Sequence, residues 1–212
     1  MNIENNRVSL VGEISTEPEW SHSVYGEDFY TIHLDVERLS GAVDCIPVTV
    51  SGRMCNVKDL QIGQQIAAYG QFRSFNKHEE HGTRLILSVF AQNIELLDAQ
   101  SKLFDTTENN IQLEGYICKA PMFRTTPLNR EITELLVAVN RSYGKSDYIP
   151  CITWGRNAKY ASQLSVGTPL TINGRIQSRD YIKHLPDGTS ETRTAYEVSV
   201  SKLDVWEVGD DD

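Results

Sequence analysis

Leu113-Glu114-Gly115-Tyr116-Ile117-Cys118-Lys119-Ala120-Pro121 occurs in outline a second time in this chain, as Leu10-Val11-Gly12-Glu13-Ile14-Ser15-Thr16-Glu17-Pro18. The shared Leu, Gly, Ile and Pro lie at an offset of 103, since 115 minus 12 and 121 minus 18 agree. The register continues outward. Ile149-Pro150 and Gly155 stand 103 residues after Ile46-Pro47 and Gly52, and Gly167 and Gly174 stand 104 after Gly63 and Gly70, so one residue is inserted between those stretches. Two units of this length are unlike a solenoid, whose repeats run to ~20–50 residues. Each copy has the size of a whole small domain.

Both copies read as strands with one helix. In the second, segments 111–117, 131–140, 148–154, 169–179 and 192–200 are rich in Val, Ile, Thr or Tyr, and 157–164 carries the helix-forming composition. In the first, strands are expected at 7–14, 29–39, 44–50, 65–74 and 84–91, with a short helix within 57–60. Five strands with a helix after the third is the order of the OB-fold, a Greek-key barrel that binds oligonucleotides with one face and its loops. The expected class is therefore all-β, two tandem OB-fold barrels, each with one short helix. The expected division is a first domain at 1–98, a linker at 99–108, a second domain at 109–208 and an acidic tail at 209–212.

Composition narrows the function. The chain has 212 residues, 40% hydrophobic, with a net charge of −9. No apolar run nears the ~18 residues that span a bilayer, and Met1 to Val8 lacks a signal-peptide core, so a soluble, intracellular protein is expected. Cys45, Cys55, Cys118 and Cys151 form no CxxC pair and are expected as reduced thiols. Charge is unevenly shared: residues 1–100 hold 7 Lys+Arg against 14 Asp+Glu, a net of −7, while residues 101–212 hold 13 against 15, a net of −2. Phosphate binding needs local positive charge, which favours the second copy.

That copy also carries flat side chains at strand spacing. Tyr148, Ile152 and Trp154 differ by even numbers and project from one face of a strand, with Ile149, Cys151 and Thr153 on the other. Rings on an outward face beside Arg and Lys are what single-strand binders use, because every base has a π-face and stacking tolerates any sequence.

The run Asn140-Arg141-Ser142-Tyr143, then Asp147-Tyr148-Ile149-Pro150-Cys151-Ile152-Thr153-Trp154, then Leu170-Thr171-Ile172-Asn173-Gly174-Arg175-Ile176-Gln177-Ser178-Arg179-Asp180-Tyr181 resembles the bacterial single-stranded DNA-binding protein family. The resemblance covers 109 to about 208; the first copy shares only the framework. It implies binding of single-stranded DNA with little sequence preference, protecting it in replication, recombination or repair. It implies base stacking on Tyr143, Tyr148, Trp154 and Tyr181, which fall at the family's principal stacking positions. Arg141, Arg156, Lys159, Arg175 and Arg179, near these rings, are expected on phosphates or bases. It also implies a homodimer giving four barrels, as two-barrel relatives form, and possible replication or repair proteins as partners.

At the positions matching Tyr143, Tyr148, Trp154 and Tyr181 the first copy has Ser40, Cys45, Ser51 and Lys77, so it is expected to lack the aromatic platform. The chain end, Glu207 to Asp212, is acidic but lacks the family's long linker and terminal Pro-Phe. His78-Glu79-Glu80-His81 has the wrong spacing for an HExxH zinc site, and neither a metal nor a cofactor is expected. No nucleophile, base and orienting residue occur in supporting context, so no enzyme is expected. Two rivals are an interaction protein that contacts replication partners and binds DNA weakly, and a nuclease using Asp147 and Asp180 with Mg²⁺, which nothing in the spacing supports.

Overall fold

A computed structural model of the chain describes residues 5–79, 82–185 and 188–206. The first copy comprises β1 (Asn6–Ile14), β2 (Glu19–Val24), β3 (Glu27–Glu37), β4 (Val43–Ser51), β5 (Gln65–Glu79) and β6 (Gly82–Leu96). The second comprises β7 (Glu108–Ile117), β8 (Met122–Thr125), β9 (Glu131–Asn140), β10 (Ser146–Trp154), α1 (Gly155–Ala161), β11 (Pro169–His184) and β12 (Ser190–Val205). The helix α1 buries Ala158 and Ala161, one turn apart, against the barrel. At its place the first copy has only the 3₁₀ turn Val57–Asp59, N-capped by the Asn56 side chain; Val and Asp sustain a helix less well than the Ala-containing segment of α1.

Each copy closes into an OB-fold barrel. In the first, β1 pairs with both β3 and β5, β3 with β4, β5 with β6, and β4 closes on β6 in parallel. In the second, β7 pairs with β9 and β11, β9 with β10, β11 with β12, and β10 closes on β12 in parallel. Alternation fills the interiors: Leu10, Ile32, Leu34, Val48, Phe72 and Val89 in one barrel, Leu113, Val137, Ile149, Ile172 and Val198 in the other. The edge strands β2 and β8, absent from the expected set, pair with β3 and β9. They are exposed along their whole length, so no buried periodicity announces them.

The repeat explains how the barrels join. β1 pairs antiparallel with β7, and Val8 lies opposite Ile111, its own counterpart at offset 103. A pseudo-twofold axis therefore passes between these two buried residues, and the two cores merge there. The connection folds over the outer side of this sheet, where Leu97 and Leu103 cover Val11 and Ala67. Gln65 fixes it, donating to the Thr106 carbonyl at 3.0 Å and accepting from the Asp105 N–H at 2.8 Å. The equivalent glycines Gly70 and Gly174 face bulges in the partner strands β6 and β12, where one extra residue, Gln92 or Ser201, is inserted. A Cβ would lie 2.1 Å from the Phe90 carbonyl oxygen at the first and 2.3 Å from that of Ser199 at the second, closer than any side chain can sit.

Candidate nucleic-acid interface

Strand β10 has the expected alternation except at Ile152, expected on the outer face with Tyr148 and Trp154 but buried at 5% exposure. Ile149, Cys151 and Thr153 are buried, while Tyr148 is 44% exposed on the opposite face. Trp154 shares that outer face: its indole Nε1 donates to Ser199 Oγ on β12 at 3.1 Å. Ser199 lies opposite Arg175 on β11, and the two-residue period adds Gln177, Arg179 and Tyr181 to the same side. Tyr148, Trp154, Tyr181, Arg175 and Arg179 are thus brought together on one face. Tyr143 lies in the turn Ser142–Gly144, and its side chain falls outside what the structure describes.

Beside Trp154 runs a groove of about 520 Å³ lined by Arg175, Gln177, Arg179, Ser199, Arg130 and Arg38. Arg130 comes from the β8–β9 turn and Arg38 from the first barrel, and neither was among the expected contacts. The Arg175 Nε is buried without a hydrogen-bond partner. Arg175 and Arg179 enter no ion pair among the described residues. A buried guanidinium N–H lacking an acceptor is costly, and an anion in the groove would satisfy it.

The other expected cations divide. Arg156 is exposed on α1. Lys159 pairs with Glu131 at 3.1 Å, both partly exposed. Arg141, expected on phosphates or bases, is held in a clamp between the barrels. Its guanidinium forms a two-pronged pair with the buried Asp147 and donates to the Ser74 carbonyl of the first barrel at 3.0 Å. Asp147 Oδ1 accepts the Ser74 N–H at 2.5 Å, and the Tyr148 N–H donates to Ser74 Oγ at 2.7 Å. The same clamp recurs across the pseudo-axis: Arg38 pairs with the buried Asp44, which accepts the Ser178 N–H at 2.8 Å, while the Cys45 N–H donates to Ser178 Oγ at 3.0 Å. One signal was available in the sequence, since Arg38 and Asp44 stand six residues apart just as Arg141 and Asp147 do.

Asp147, tied up in this clamp at 1% side-chain exposure, is not an open carboxylate, and Asp180 accepts from Thr194 Oγ1 at 2.7 Å. All four cysteines are free. Burial, then a hydrogen bond with Asp35, pushes the Cys45 thiol up to about 11, so it is neutral at physiological pH. Among the described residues no cluster of three or more His, Cys, Asp or Glu could hold a metal ion, and no helix is long and apolar enough to cross a membrane. Of the His78 to His81 stretch, His78 lies 3.5 Å from Thr83 Oγ1; Glu80 and His81 lie outside the described residues, as does the acidic tail. Trp206 packs edge-on against Tyr116 of its own barrel, with ring centroids 5.8 Å apart.

Residues 108–206 match the family model described as the single-strand binding protein family. Over 105 residues the chain is 32% identical to the single-stranded DNA-binding protein of Clostridium tetani, covering 46% of this chain and 71% of that protein. It is 34% identical over 80 residues to single-stranded DNA-binding protein A of Bacillus subtilis, 34% of this chain and 46% of that protein, so the match spans about half the Bacillus chain. In fold it is similar to the single-stranded DNA binding protein from Thermus aquaticus, at a TM-score of 0.74 and 22% identity over 96% of this chain and 94% of that one. That likeness takes in both barrels.

Proposed function

This chain belongs to the single-strand binding protein family, and from that premise we propose that it binds single-stranded DNA with little sequence preference, chiefly on the outer face of the second barrel. The observation that carries this reading is the grouping of Trp154 with Arg175 and Arg179, an indole beside two cations that no carboxylate among the described residues pairs with. Bases stack on Tyr148, Trp154 and Tyr181, with Tyr143 as a fourth position, each contributing ~1–3 kcal/mol. Arg175, Arg179, Arg156 and Arg130 follow the phosphates, and Lys159 contributes less while held by Glu131. Arg38, anchored by Asp44, adds a cation from the first barrel. Tyr148 and Trp154 are six residues apart, about 20 Å along an extended strand, so the rings serve several successive nucleotides.

The protein keeps strands unpaired during replication, recombination or repair, in the cytoplasm and at the nucleoid. It works as a homodimer of four barrels. The second copy seats on the outer face of the central sheet near the pseudo-axis, where Arg7, Ser9, Asn110 and Gln112 line an open hollow of about 930 Å³. Among the described residues the first barrel runs from β1 to β6 and the second from β7, which starts at Glu108, to β12, close to the expected division at 98 and 109.

Anisotropy of a labelled dT oligonucleotide tests the platform. Trp154→Ala weakens binding by about 5- to 150-fold, the equivalent of one stack, and Ser51→Ala leaves it unchanged. Equal affinities for the two variants would remove the assigned site.

A further inference from the structure

Position by position, the first barrel has serine, cysteine or lysine where the second has its rings, yet its outer face is not bare. The parallel pairings align Val48 with Val89 in one barrel and Cys151 with Val198 in the other. Trp154 on β10 and Ser199 on β12 therefore correspond to Ser51 on β4 and Phe90 on β6, and the aromatic and the serine have changed places. The cation has moved in step: Arg175 and Gln177 of β11 correspond to Gln71 and Arg73 of β5. The Arg73 guanidinium lies 4.0 Å from the centre of the Phe90 ring. Because Ser51 is small, Phe29 directly across from it on β3 reaches Phe90, with ring centroids 5.6 Å apart. The exposed His22 of β2 stacks on Phe29 at 4.9 Å and 11°. Each barrel thus presents ring surface and an arginine on the same face, at exchanged positions.

We infer that Phe90, His22 and Arg73 form a second stacking site for single-stranded nucleic acid on the first barrel, with the buried Phe29 as its floor. The inference rests on the reading of the second barrel given above and extends it. Its electrostatics are local. Arg73 hydrogen-bonds only Gln71 Oε1, at 3.0 and 3.3 Å, and forms no ion pair among the described residues. The carboxylates nearest the rings are engaged: Glu27 by Arg53 and by the Ser51 hydroxyl, Asp28 by Trp20 Nε1 at 3.3 Å and by the Ser23 hydroxyl. The net −7 of the first hundred residues makes this the weaker of the two sites. Phe90 lies two strands from β1 in the sheet order, on the far side of the pseudo-axis from Trp154, so one strand reaches both platforms only when it is longer than the footprint of one barrel.

Oligonucleotide length separates the sites. An OB-fold occupies up to ~16 nucleotides, so the full chain is titrated with dT oligonucleotides of about 10 and about 30 nucleotides. His22→Ala and Phe90→Leu each leave the affinity for the short oligonucleotide unchanged and weaken binding of the long one by about fivefold or more, the loss of one stack. A long oligonucleotide carrying 5-iodouracil cross-links to the peptide bearing His22 or Phe90. Unchanged affinity in both variants, with cross-links confined to the second barrel, overturns the inference and leaves the second-barrel reading standing. A loss seen only in Phe90→Leu, together with a lowered Tm, assigns the rings to packing and overturns it as well. Absence of wild-type binding at either length removes both readings.

Discussion

At the scale of single residues, Arg141 and Arg175 show how two arginines of one barrel stand in opposite surroundings. Arg141 neutralises a carboxylate with 1% side-chain exposure and reaches across to the other barrel, whereas the Arg175 Nε is buried with no acceptor. Removing one member of a buried pair leaves the other charge stranded, at a cost of ~3–5 kcal/mol. Because Arg141 is itself 28% exposed, the lower end of that range applies. Arg141→Ala is expected to lower Tm by roughly 6–12 °C, at ~2–4 °C per kcal/mol for a chain of this size, as read by a thermal melt. Arg175→Ala is expected to leave Tm nearly unchanged, weaken DNA binding, and reduce the slope of log affinity against log salt by about one. The reverse pattern would mean the two roles have been exchanged. From sequence the two residues looked alike, since each is a basic residue near tyrosines. The partner that decides the matter, Ser74, lies 67 residues from Arg141 on the other copy.

At the scale of elements, what could be read from the chain follows the burial of each strand. β10 was legible because a core face and an outward face alternate along it. β2 and β8 were not, because they are exposed along their whole length and show no buried periodicity. The repeated glycines announced a shared framework, and Gly174 shows the physics behind one of them. It faces a bulge in β12, and a Cβ there would meet the Ser199 carbonyl oxygen at 2.3 Å, beside the same Ser199 whose hydroxyl holds Trp154. Gly174→Ala is expected to cost ~1–3 kcal/mol through overpacking, and to weaken DNA binding because β12 must shift beneath the indole. A variant with wild-type melting and wild-type affinity would show that the bulge yields without cost. The aromatics of the first barrel escaped a position-by-position comparison for a different reason. Phe90 sits on the strand adjacent to the one that carries Trp154 in the second copy, and Arg73 sits two residues along the strand that carries Arg175 there, so they match in space and not in register.

At the scale of the whole molecule, pairing β1 with β7 makes one chain reproduce a two-barrel unit with a pseudo-twofold axis at Val8 and Ile111. The barrels exchange clamps through Ser74 and Ser178, so each positions the start of the other's outward-facing strand, and cutting between them would unseat both. Light scattering should return twice the chain mass of 23.9 kDa, as a dimer of four barrels requires, and a monomeric mass would remove that assembly. The central claim, base stacking on the second barrel with phosphate contact beside it, is tested most directly by intrinsic tryptophan fluorescence titrated with poly-dT at two salt concentrations, with Trp154→Phe as the control. The predicted result is strong quenching in the wild type that weakens as salt rises and is lost in the variant. Quenching that survives in Trp154→Phe, or a wild type that neither quenches nor binds, would contradict it.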